Sequence, residues 1–82
     1  LITHGPPLGI LDVTRHGLNV GCEELAAALE KRLRPDVHVF GHIHEGYGTY
    51  TRNGTRFVNA SSCTAFYEAI NAPLAVEVLR RD

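Results

Sequence analysis

The chain has 82 residues, 44% of them hydrophobic and 21% charged, a composition ordinary for a globular domain. A formal net charge of −1 gives no electrostatic basis for binding DNA, RNA or an anionic membrane surface. No stretch approaches the ~18 consecutive apolar residues of a membrane span, and Cys22 and Cys63 are too few for a disulfide scaffold and read as free buried thiols.

Leu1-Ile2-Thr3 reads as the end of a buried strand, and the absence of an initiating methionine points to a piece of a longer protein. Any targeting segment would then lie upstream, and the expected compartment is the cytoplasm. His4 to Gly21 reads as a loop, punctuated by Pro6, Pro7, Gly9, Gly17 and Gly21. A connection that long is uncommon in a compact domain and often functional. Glu23 to Leu33 is predicted to be a helix, with Cys22, Leu25, Ala26, Leu29 and Leu33 along one face. Its acidic first turn (Glu23, Glu24) and basic end (Lys31, Arg32, Arg34) match the helix dipole, and Pro35 stops it.

Val37 to Phe40 is a short predicted strand, and Gly41 to Gly48 a glycine-bounded loop. Tyr47 to Arg52 and Thr55 to Asn59 flank Asn53-Gly54, the pair favoured in a type I′ hairpin turn because both of its residues need positive φ. Ala60 to Thr64 reads as a loop, Phe66 to Ala72 fits no single element, and Leu74 to Leu79 reads as a final strand after Pro73. Strand, helix, strand and then antiparallel strands give an α/β domain with a mixed sheet.

The chemistry concentrates in histidines. His42 and His44 lie two apart after the apolar run 37–40, and His4 lies at a second strand end. Imidazole is the commonest metal ligand. In extended backbone, residues i and i+2 share a face about 6.5–7 Å apart, so both rings can serve one ion or two ions roughly 3.5–4 Å apart. Three imidazoles alone would also suit a mononuclear zinc centre with an open water position.

Other side chains carry a structural and a functional reading. His38 reads as a packed histidine, or one supporting a ligand, in preference to a ligand itself. His16 and Arg15 sit in the long loop and reach a substrate only if that loop folds over the site; otherwise they are solvated. Glu45 either fixes the loop, orients a histidine or is an exposed turn carboxylate. Tyr47 either packs at a strand start or stacks on a base. Arg52 is a surface charge or a phosphate contact, and Asn59, Ser61 and Ser62 cap a strand end or shape a pocket.

His4-Gly5-Pro6-Pro7, followed by Gly41-His42-Ile43-His44-Glu45-Gly46-Tyr47-Gly48, resembles the C-terminal half of calcineurin-like metallophosphoesterases. Five blocks mark that superfamily in order, D-x-H, G-D, G-N-H-[DE], a lone H and G-H-x-H, and this chain holds the last two. The pattern is most similar to metallophosphoesterase-domain-containing proteins related to class III cyclic nucleotide phosphodiesterases, and runs from Leu1 to about Val78. The resemblance implies that 1–82 is the C-terminal part of one domain, a four-layer α/β/β/α sandwich with a mixed sheet. It implies a cofactor of two divalent ions (manganese, iron or zinc), with His4 and His42 on one and His44 on the other. The remaining ligands, and the histidine that protonates the leaving group, would come from upstream blocks.

The implied reaction is hydrolysis of a small phosphoester, with a nucleotide-like phosphodiester as the expected substrate, by in-line attack of a bridging hydroxide. Tyr47, Glu45, Arg15 and His16 are the candidate substrate contacts. Some relatives replace the first histidine of G-H-x-H with glycine and lose much of their activity; this chain keeps His42. The competing readings are a catalytically weak relative that binds nucleotides or partners, and a mononuclear three-histidine zinc protein. Alone, the chain is expected to have little or no phosphoesterase activity, because three imidazoles without a bridging carboxylate cannot hold two cations together.

Overall fold

The Asn53-Gly54 turn organises the sheet: both residues have positive φ, 51° and 81°, as a type I′ turn demands. It joins β2 (Gly48–Arg52) to β3 (Thr55–Asn59) in antiparallel register, Tyr50 opposite Phe57 and Gly48 opposite Asn59. β1 (Val37–Phe40) lies on the other side of β3 and runs parallel to it, with His38 opposite Phe57 and Phe40 opposite Asn59. The sheet order is therefore β1-β3-β2, a mixed sheet in a small α/β domain. This computed structural model describes residues 1–61. Cys63, most of the expected loop 60–64, the segment 66–72 and the expected strand 74–79 lie outside them.

Because β3 is paired on both sides, it is buried almost throughout, at Thr55, Phe57, Val58 and Asn59. His38 and Phe40 alternate inward on β1 and share a face with Phe57. α1 (Glu23–Lys31) lays Leu29 onto that face, and Ile10, Leu29, Phe40 and Phe57 form the core with Leu11 and Leu25 packed against it.

Several sequence expectations are corrected. The helix ends at Lys31, short of Leu33. The amides of Arg32 and Leu33 both donate to the Ala28 carbonyl at 2.8 Å, closing the last turn and turning Leu33 out to 41% exposure. Cys22 is an exposed thiol rather than a buried one; its Sγ caps α1 by accepting the Leu25 amide at 3.4 Å. The segment 1–3 does pair with β1, through Val39 N to Leu1 O (2.9 Å) and Thr3 N to Val39 O (3.0 Å). It is not buried in this chain, however: Ile2 is 82% exposed. The long connection 4–21 holds no helix or strand, only isolated bridges such as Val13 with Asn19.

Candidate functional site

The pairing of the first residues with β1 continues past the strand ends into both histidine segments. After Thr3 N to Val39 O, the next rung is Gly41 N to His4 O, 3.1 Å. His4 and His42 are thereby delivered to the same place from opposite segments, and their rings meet with centroids 4.5 Å apart at 39°.

The backbone at His42 is unusual. Ile43 N donates to Gly41 O at 2.8 Å and His42 has φ +69°. An i to i+2 bond around a positive-φ residue is the rare, strained form of the γ-turn. Left-handed backbone costs a non-glycine residue about 1–2 kcal/mol, and such strain is characteristic of functional sites. His44 begins a short 3-10 turn, His44–Gly46, which Gly46 N closes onto Ile43 O at 3.0 Å.

His38 belongs to the support beneath this site. It is fully buried, edge-on to Phe40 and Phe57 with centroids 5.0 and 5.6 Å away. Thr3 Oγ1 donates its single proton to Gly5 O at 2.7 Å. The 2.8 Å contact between Thr3 Oγ1 and His38 Nε2 then requires Nε2 to carry the hydrogen. Nδ1 is buried with no partner among the described residues. Burial is the main cause that lowers the His38 pKa from 6.5 to about 4.

The long loop is fastened by Asp12, whose importance the sequence reading missed. Its carboxylate is wholly buried and accepts the amides of Gly9 and Gly21 (both 2.9 Å) and the side-chain amide of Asn19 (2.7 Å). Burial alone would raise its pKa; these hydrogen bonds together outweigh burial and hold it below 3.8. An aspartate bracketed by Gly9 and Gly21 in a loop without regular structure is the signal that was available.

Of the candidate substrate contacts, Glu45 and Arg15 do come together. Glu45 Oε2 accepts the Arg15 backbone amide at 2.7 Å, a bond that lowers the carboxyl's pKa, helped by the Arg15 charge. Loop fixing is thus one role of Glu45. His16, beside Arg15, is exposed, and Tyr47 is half-buried just before β2. A cavity of about 340 Å³ adjoins His42 and Ile43, walled by Pro6, Val20, Cys22 and Leu25.

Two adjoining imidazoles suit part of a metal shell, since ring nitrogens are the donors such sites use. Among the described residues, no group of three or more His, Cys, Asp or Glu comes together as a metal cluster. The described residues thus pair His4 with His42 and do not gather His44 into a three-donor set. No helix among the described residues is long and apolar enough to cross a membrane.

No family model matches the chain. Individual proteins do: a human protein named metallophosphoesterase domain-containing protein 1 is 51% identical over 79 residues, 95% of this chain and 24% of its own length. A UPF0046 protein of Caenorhabditis elegans is 45% identical over 78 residues, again 95% of this chain and 20% of its own length. A protein of Emericella nidulans named probable rhamnogalacturonate lyase C is 45% identical over 71 residues, 85% of this chain and 6% of that much longer protein. This chain spans about a quarter of the human relative it matches, and over that segment it is related in sequence to the metallophosphoesterase family.

Proposed function

We propose that this chain is the C-terminal part of a metal-dependent phosphoester hydrolase, a phosphodiesterase acting on nucleotide-like substrates. The rest of a longer protein would complete its α/β/β/α sandwich. The observation that carries this reading is the His4–His42 ring pair, formed by the two motifs that resemble the last two metallophosphoesterase blocks. In this reading His4 and His42 hold one divalent ion and His44 contributes to a second, the other ligands coming from outside this chain. Bound divalent ions would supply charge stabilisation of a phosphoryl group and acidify water at neutral pH.

The chain's own residues position and enclose. The γ-turn presents His42, Thr3 and His38 brace the strand end beside His4, and the Glu45 tie to Arg15 holds the long loop beside the histidines. Arg15, His16 and Tyr47 are then the side chains proposed to meet the substrate, with the phosphate drawn by the cationic groups and a base stacked by the aromatic ring.

In the intact protein supplied with Mn²⁺, hydrolysis of bis(p-nitrophenyl) phosphate is the expected activity. His42→Ala and His44→Ala should each lower it by about 100-fold, and chelation should abolish it until Mn²⁺ is restored. Equal, near-background rates for all three proteins would replace the hydrolase with a nucleotide- or partner-binding module.

A further inference from the structure

We propose that Asn59 is the positioning residue of the histidine turn, its side-chain amide fixing the backbone that presents His42 and tying the long loop to it. The topology puts Asn59 there. It is the last residue of β3 and stands opposite Phe40 on one side and Gly48 on the other. The segment 41–47 leaves the first of these strands and enters the second, so it must arch over the end of β3. Asn59 lies directly beneath that arch, fully buried.

Its side chain uses its whole hydrogen-bonding capacity. Nδ2 donates to Ile43 O at 2.8 Å and to Leu11 O at 3.1 Å. Oδ1 accepts Ser61 N at 3.1 Å and Ser61 Oγ at 2.7 Å. Two carbonyls can only accept, which settles the amide orientation. The Ile43 carbonyl belongs to the residue whose own amide closes the γ-turn around His42. Leu11 precedes Asp12, the anchor of the long loop. One amide therefore joins the histidine arch to that loop, beside the second tie from Glu45 to Arg15. Gly46 makes room for the junction: a Cβ there would run into the Leu11 carbonyl and lie 2.8 Å from Asn59 Nδ2.

The geometric claim stands apart from the hydrolase reading, and only its effect on metal binding rests on that reading. Asn59→Asp keeps shape and acceptors but replaces the two donors with an oxygen facing two carbonyls; Ser61→Ala removes one bond on the other side of the amide and leaves the donors intact. In the intact protein, Asn59→Asp should keep wild-type circular dichroism while Ile43 and Gly46 lose about 10-fold or more of their amide-exchange protection. Zn²⁺ affinity by calorimetry should fall about 10–100-fold. Ser61→Ala should leave both within about twofold. Wild-type protection at Ile43 and Gly46 in folded Asn59→Asp would overturn the proposal, as would equal losses in both variants that simply track a lowered Tm. If Asn59→Asp does not fold, Asn59→Ser, too short to reach either carbonyl, is read in the same way, and failure of both to fold would overturn a role in positioning. Absence of Zn²⁺ binding by the wild type would sink the hydrolase reading, while the exchange data would still decide the role of Asn59.

Discussion

At residue scale, His38 turns burial into a pH dependence. Unfolded, its ring takes up a proton near 6.5; folded, not until about 4. Between those values the unfolded chain binds more protons, so stability is full above about pH 6.5 and declines as pH falls toward 4, by about 3 kcal/mol at most. Denaturant midpoints of the intact protein from pH 8 to 4 should show that decline, and His38→Phe, which keeps the aromatic packing, should flatten it. An unchanged slope in the variant would assign the acid sensitivity elsewhere. Asp12 acts at lower pH: its depressed pKa adds stability that is present above the ordinary carboxylate range and lost as pH falls through the folded value. His38 was legible as a packed residue because it alternates with Val37 and Val39. Its bond to Thr3 was not, because partners 35 positions apart leave no local trace.

At the scale of elements, what the sequence disclosed were those features set by neighbours in the chain. The β2–β3 hairpin follows from Asn53-Gly54, and β1 from the run 37–40; β1 and β3 form where expected, and β2 begins at Gly48, one residue after the expected Tyr47. The helix boundary was misplaced because apolar spacing alone put Leu33 on the buried face, while the closing bonds to Ala28 end the helix two residues earlier. The arch is the element least visible in advance. Glycines at 41, 46 and 48 announce a turn, but the partners on either side of the γ-turn at His42, His4 O on Gly41 and the Asn59 amide on Ile43, are far apart in sequence. Gly46 offers a direct check on how closely arch and loop are fitted. Gly46→Ala would force a methyl into the Leu11 carbonyl, and overpacking of this kind costs about 1–3 kcal/mol. Loss of stability with the same fold, read from denaturation and amide spectra, is the expected result; a neutral substitution would mean that the two segments part easily.

For the molecule as a whole, the helix is joined to the sheet through a small core in which Leu29 is the one helical residue that is buried. Leu29→Ala should therefore cost about 2–5 kcal/mol, measured by chemical denaturation of the intact protein. A change below about 1 kcal/mol would show that contacts outside this cluster anchor α1. The mixed sheet was readable from the order of elements, whereas the insertion of β3 between β1 and β2 was not, since a hairpin following a strand can add at either edge. That insertion gives the site a history. The ribosome releases His4, then His42 and His44, and only later Asn59, on the far arm of the hairpin. Until that arm pairs with β1, the arch over the end of β3 lacks the Asn59 amide that meets Ile43 O and Leu11 O. The parallel pairing of β3 with β1 is non-local, the kind of contact that slows folding, whereas the rung that brings His4 to His42 needs only the first residues and Gly41; the brace beneath the arch and the ring pair above it are thus built from separate pairings.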